Sequence, residues 1–197
     1  LKDMPHLERK CLNCDQGLEK IEIPMLPYSD GLVYKLNDNN DGYIVIGIGE
    51  CKDTNVNITP VYNNLPITGI KSNAFEECNN IVSIIIPNSV SYIGMYAFLN
   101  CDALKEVTLS NQITTLPENV FMGCISLESF EIPASITKIE AGAFHGCTAL
   151  KEITIPEGVE EIGDYAFADC GNLQTINIPK SVKKIGENAF DGCGPYI

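Results

Sequence analysis

Nine cysteines are the residues of this 197-residue chain best suited to chemistry, as thiolate nucleophiles, metal ligands or disulfide partners. Their number is odd, so at least one thiol has no partner within the chain. Cys11-x-x-Cys14, taken with Cys51, has the spacing of a bridge or a metal site. His6 and His145 stand in no metal spacing with them. His145-Gly-Cys147 sets a base beside a thiol, the pairing a cysteine nucleophile needs. Asn37-x-Asn39-x-Asp41-Gly42-x-Ile44 echoes the opening of a calcium-binding loop. Such a loop wants an acidic first ligand and a bidentate Glu at its twelfth position, and here these are Asn37 and Ile48. No phosphate loop, nucleophile elbow or metal-binding histidine pair occurs. The chain is therefore expected to be no enzyme and to carry no cofactor.

The positions of the cysteines account for most of them. Cys78, Cys101, Cys124, Cys147, Cys170 and Cys193 follow one another at a constant interval of 23 residues. Three residues before each stands Phe75, Phe98, Phe121, Phe144, Phe167 or Phe190. A period of about 20–29 residues marks a solenoid of short repeats, each a single coil stacked on the next. In such a stack the six cysteines share one inward position and pack as small hydrophobes. Identical parallel side chains do not offer the dihedral of about 90° that a bridge requires. Cys147 then points into the core. His145 occupies a position where other coils carry Leu99, Met122, Ala168 and Asp191, so nothing there is specialised for catalysis.

Each coil must supply the elements that hold these ladders. After the cysteine comes C-x-x-L-x-x-I-x-I-P, as in Leu150, Ile153, Ile155 and Pro156. The last two apolar positions are two apart, the period of a strand. Proline ends the strand because it has no N–H for the ladder. A second apolar pair three apart follows: Val90 and Ile93, Ile113 and Leu116, Ile136 and Ile139, Val159 and Ile162, Val182 and Ile185. Gly94, Gly163 and Gly186 suit a turn with positive φ. An Ala-Phe stretch, 3₁₀ or irregular, returns to the next cysteine. One strand, one turn and one return segment per coil are expected, with strands paired in parallel at about 4.8 Å.

The run Ile155-Pro-Glu-Gly-Val-Glu-Glu-Ile-Gly-Asp-Tyr-Ala-Phe-Ala-Asp-Cys170 resembles the BspA-like, or Treponema-type, leucine-rich repeats, and the resemblance extends over residues 56–193. Ser110 for the strand-ending proline, Pro117 and Glu140 for the turn glycine and Val120 for the alanine depart from it. The resemblance implies a curved, right-handed leucine-rich-repeat stack on a surface-exposed or secreted protein that binds other macromolecules. The fold expected is thus a β-rich solenoid of α/β type.

The first third is less regular. Cys14-Asp-Gln-Gly-Leu18-Glu-Lys-Ile21-Glu-Ile23-Pro24 reads as a degenerate first coil over residues 1–24. Within 25–55, Leu32–Leu36 and Gly42–Ile48 flank a turn-rich stretch and read as a β-hairpin inserted in the stack. Regular coils fill 56–193, and the whole of 1–197 is read as one domain.

Residues alternating with the buried ones face out from the sheet that is expected to be concave. They are Ser83 and Ile85, Glu106 and Thr108, Ser129 and Glu131, Glu152 and Thr154, Thr175 and Asn177. Those from Glu106 to Asn177 form the candidate binding face, and Ile85 is an outward apolar residue for which the hairpin is a possible cover. The net charge of −13 argues against nucleic acid and anionic membranes. No apolar run is long enough to span a membrane. The partner expected is an extracellular protein or glycan, met at the cell surface or outside it. The alternative is a structural spacer that presents another domain.

Overall fold

Fifteen short strands and the turns between them make up the computed structural model, which describes residues 27–194. The degenerate first coil and the pairing of Cys11 and Cys14 lie outside the described residues. The strands are β1 (Val33–Leu36), β2 (Tyr43–Gly47), β3 (Asn55–Asn57), β4 (Val61–Tyr62), β5 (Leu65–Ile70), β6 (Ser83–Ile85), β7 (Tyr92–Ile93) and β8 (Glu106–Thr108). Then come β9 (Thr115–Leu116), β10 (Ser129–Glu131), β11 (Lys138–Ile139), β12 (Glu152–Thr154), β13 (Glu161–Ile162), β14 (Thr175–Asn177) and β15 (Lys184–Ile185). The protein is a β-solenoid of about six coils of some 23 residues.

The strand expected in each coil is there. β3, β6 and β8 pair in parallel, as do β10, β12 and β14, with like residues opposite: Phe130 faces Ile153, and Ile153 faces Ile176. We call these strands the first sheet. Each coil also has a second strand where only a turn was expected. β9, β11, β13 and β15 form a second parallel sheet, and β7 pairs with β5 at its N-terminal side. Thr-Lys-Ile and its equivalents form this strand because backbone groups at the same place in successive coils have no other partner. Thr137 N–H bonds Thr114 C=O, and Glu160 N–H bonds Thr137 C=O.

Among the described residues there is no helix, so the α component of the expected α/β solenoid is absent. The return segment is a run of turns. Two of its positions in every coil have positive φ: Asn73, Tyr96, Asn119, Gly142, Tyr165 and Asn188, then Glu77, Asn100, Gly123, Gly146, Asp169 and Gly192. Two left-handed residues four apart in the return segment forbid a continuous right-handed helix there. Alternate N–H groups instead bond to the next coil, as Phe75 N–H does to Ala97 C=O at 2.8 Å.

The glycines after the second strand serve differently from expectation. Gly94, Gly163 and Gly186 do not have positive φ. They are small because the preceding coil lies against them. A Cβ on Gly163 would stand 2.5 Å from Ala141 N, and one on Gly94 2.2 Å from Ser72 N.

The core runs from Leu32 to Ala189. Phe75, Phe98, Phe121, Phe144 and Phe167 are fully buried and stack with Phe190 at centroid distances of 5.2–5.6 Å. Cys101, Cys124, Cys147 and Cys170 are buried thiols. They do more than fill space. Cys101 Sγ donates to Phe75 C=O (3.0 Å), and Cys124, Cys147, Cys170 and Cys193 repeat that bond to Phe98, Phe121, Phe144 and Phe167. The same carbonyl accepts the N–H of its own coil's cysteine, so both lone pairs are used. Burial pushes the thiols of Cys101 and Cys170 up to about 12, and those of Cys124 and Cys147 up as well.

At the N-terminal side β1 and β2 pair antiparallel, and β2 pairs in parallel with β5. Asn37 organises the turn between them. Its Nδ2 donates to Asp41 Oδ1 (2.8 Å), and its Oδ1 accepts Asp41 N–H. These residues close a turn on one another. Ser110, standing where other coils have proline, is buried; its hydroxyl donates to Val90 C=O at 2.6 Å and accepts Gln112 N–H.

Candidate functional site

Strand alternation sets the outward residues of the first sheet. Glu106, Thr108, Ser129, Glu131, Glu152, Thr154, Thr175 and Asn177 are all exposed, while Ile84, Phe130 and Ile153 between them are buried. Register pairing aligns them in two columns, with Ser129 beside Glu152 and Thr175, and Glu131 beside Thr154 and Asn177. A depression of 490 Å³ lies on this face, bounded by Ser129, Glu131, Glu152, Thr154 and the strand backbones. Ser83 and Ile85 are only half exposed. They border a second depression with Asn55, Asn57 and Pro27. The β1–β2 pair belongs to a separate sheet with β4, β5 and β7 and does not border it, so the expected cover for Ile85 is not what lies there.

The carboxylates of Glu106, Glu131 and Glu152 have no ion pair and no side-chain hydrogen bond among the described residues. Acids and bases are matched on the second sheet and at the rim of the first. On the second sheet Lys138 lies 3.6 Å from Glu161 and 3.5 Å from Glu140, and Lys184 lies 2.6 Å from Glu161. The hydrogen bond from Lys184 holds the Glu161 carboxyl below its ordinary range. Lys183 pairs with Glu160 at 2.9 Å. At the rim of the first sheet, one residue before the strands, Lys151 donates to Glu128 and lowers its carboxyl likewise. That rim column, Lys105, Glu128, Lys151, was missed in the sequence although its alternating sign recurs at the repeat interval.

The first sheet is interrupted. No strand pairing joins β8 to β10. At the break Phe130 takes the place held by Ile84, Val107, Ile153 and Ile176 in other coils. Its ring packs on Phe121 and Phe144 at 5.0 and 4.9 Å, wedged into the phenylalanine ladder. The bulkiest residue of this column stands next to Val107, and the two strands lie side by side without ladder hydrogen bonds. Val107 and Leu109 are left half-buried in a recess with Thr108, Asn111, Glu131, Pro133 and Ala134.

The other candidates resolve as structural. Cys147 is buried behind Phe144, and His145 Nε2 lies 3.1 Å from Asp169 Oδ2 at the surface. Among the described residues no group of His, Cys, Asp and Glu could hold a metal, and no helix is long and apolar enough to cross a membrane.

Coil length, paired parallel strands and the phenylalanine and cysteine ladders define a solenoid of the leucine-rich-repeat class. The chain belongs to the BspA-type leucine-rich-repeat family, whose model matches residues 68–195 in six copies. Among solved structures it is similar to the leucine-rich-repeat protein of T. pallidum, with 26% identity, 79% of each chain covered and a TM-score of 0.70. A leucine-rich-repeat protein from Bacteroides ovatus shares 33% identity over 83% of this chain, with a TM-score of 0.76. A leucine-rich cell surface protein from Faecalibacterium prausnitzii shares 38% over 77%, with a TM-score of 0.65. The match spans 44% and 38% of those two longer chains. No curated protein sequence matches. Leucine-rich-repeat proteins are typically non-enzymatic binding modules.

Proposed function

We propose that this chain is a non-enzymatic binding module of a surface or secreted protein, recognising an extracellular protein or glycan through a concave first sheet. In this reading residues 1–197 are one domain, coiled in the right-handed sense that parallel crossovers take. The recognition residues are Glu106, Thr108, Ser129, Glu131, Glu152, Thr154, Thr175 and Asn177. One observation carries it: three carboxylates without partners, Glu106, Glu131 and Glu152, gather on a single rigid face, whereas the second sheet matches its charges. Similarity to a cell surface protein supports the location.

The test is the double change Glu131→Lys with Glu152→Lys, assayed against a panel of extracellular-matrix proteins and glycans. Both residues are exposed, so folding should survive while affinity falls. Binding by the parent should weaken with salt, since exposed charges are screened within about 8–10 Å. Unchanged binding by the variant would move the site elsewhere. A parent that binds nothing in the panel would favour a spacer.

A further inference from the structure

We infer that the coil formed by residues 101–123 is a joint, at which the stack opens and flexes before the coils on either side of it part from one another. The inference goes beyond the reading of the first sheet as a recognition face and does not depend on it.

Among the described residues, ladder pairing lapses in both sheets, and the two lapses bound this coil. In the first sheet β8 pairs with β6 and lies beside β10 without ladder bonds. In the second, β9 pairs with β11, while β7 pairs with β5 and not with β9. The coil is therefore tied by the first sheet to the coil before it and by the second sheet to the coil after it. The missing bonds can be named. Lys105, Lys151 and Gln174 N–H bond Val82, Glu128 and Lys151 C=O of the preceding coil. Thr137, Glu160 and Lys183 N–H bond Thr114, Thr137 and Glu160 C=O in the same way. Among the described residues, Glu128 N–H has no such bond to Lys105, and Thr114 N–H has none to Ser91. Pro117 supplies one cause. At its position Gly94, Glu140, Gly163 and Gly186 donate to Ile70, Leu116, Ile139 and Ile162 C=O, but proline has no N–H to offer Ile93.

Packing follows the same outline. Phe121, the ladder ring of this coil, is tilted 11° from Phe98 and 23° from Phe144, whereas the other successive pairs lie within 4–7°. Val107 and Leu109 are half-buried here, while Ile84 and Ile86 before them and Phe130 and Ile132 after them are buried. The return segment stays bonded across both interfaces, through Phe98 N–H to Val120 C=O and Phe121 N–H to Ala143 C=O. A coil held along that side, and by only one sheet at each interface, can tilt about the side that is held. In a stack whose coils are stabilised by their neighbours, the weaker interfaces open first. Glu106 and Thr108 lie on this coil and Ser129 to Asn177 lie beyond it, so tilting changes the spacing within the first sheet's outer face.

Amide hydrogen exchange of the 197-residue chain, resolved by nuclear magnetic resonance, tests this on three equivalent groups. Phe98, Phe121 and Phe144 are fully buried, and each N–H is bonded to a carbonyl of the next coil at 2.8–3.0 Å. They report the interface before the joint, the interface after it and the one beyond. Fraying from the ends alone would protect the central Phe121 most. A joint reverses that order. After correction for intrinsic rates, Phe98 and Phe121 should exchange about tenfold or more faster than Phe144, since absent backbone bonds weaken closure by about that factor. Pro117→Gly restores the donor that Gly94 and Gly163 supply, and should slow Phe98 towards the rate of Phe144. Pro117→Glu, which copies Glu140, restores the same N–H with a different side chain and should do likewise. Exchange at Phe98 and Phe121 as slow as at Phe144 in the parent chain overturns the joint. So does a ratio of Phe98 to Phe144 rates that neither variant changes.

Discussion

Truncating Phe144 to alanine should weaken the middle of the stack far more than the same change at its end. Phe144 has no exposed surface. Phe121 and Phe167 stack on its two faces at 5.6 and 5.2 Å, and Phe130 meets it edge-on at 4.9 Å. An aromatic side chain buries about 150–250 Å². At about 25 cal/mol per Å² that gives about 4–6 kcal/mol as an upper bound, because unfolded chains already bury part of it. Buried Phe→Ala changes cost about 3–5 kcal/mol, and that is the loss expected here. Phe190 is half-buried and stacks on Phe167 alone, at 5.5 Å. Its truncation should cost about half as much by the same area argument. Urea titration followed by far-ultraviolet circular dichroism measures both. Coils touch only their neighbours, so a cavity at the centre should also lower the denaturant slope by splitting the cooperative unit. A loss under about 1 kcal/mol at Phe144, or equal losses at the two sites, would refute a continuous ladder.

The cysteine ladder should resist alkylation in the native state, with Cys101, Cys124, Cys147 and Cys170 slower than the half-buried Cys78 and Cys193; mass spectrometry after brief labelling reads the order. Rapid labelling of the central four, or bridges between coils, would contradict it. Since folding raises these thiol pKa values from about 9 towards 12, the folded state holds protons that the unfolded chain has released. Stability should therefore be full below pH 9 and fall between about pH 9 and 12, a loss that Cys101→Ala with Cys170→Ala should reduce. Gly163→Ala should cost about 1–3 kcal/mol by driving a Cβ into the Ala141 backbone. Gly146→Ala meets nothing nearer than 3.8 Å and should show only the about 1–2 kcal/mol cost of its positive φ. Similar chemical denaturation at high and low salt for Gly163→Ala would agree with steric rather than electrostatic damage.

Much of this protein was legible in the chain because a solenoid writes its fold in one dimension. The interval between Phe75 and Phe98, repeated to Phe190, sets the coil length, and like residues can stack only if coils lie in register. The two-residue spacing of Ile153 and Ile155 places the strand and, by alternation, turns Glu152 and Thr154 outward. Contacts between coils are a different matter, since they join residues 22 to 26 apart that carry no local pattern. The second sheet arises from backbone bonds such as Thr137 N–H to Thr114 C=O, and two-residue strands are too short to show the alternation that marks a strand. Gly163 looks like any turn glycine until the Ala141 backbone is seen against it. The thiol bond from Cys147 to Phe121 C=O requires both coils in place. The seat of Phe130 between two other rings, beside the point where ladder bonding lapses, also requires three coils in place. Sequence periodicity determined which residues stack. Only the packed structure decided where backbones approach, where ladder bonding lapses, and which carboxylates of the first sheet are left without a partner, because those depend on side-chain volume summed across neighbouring coils.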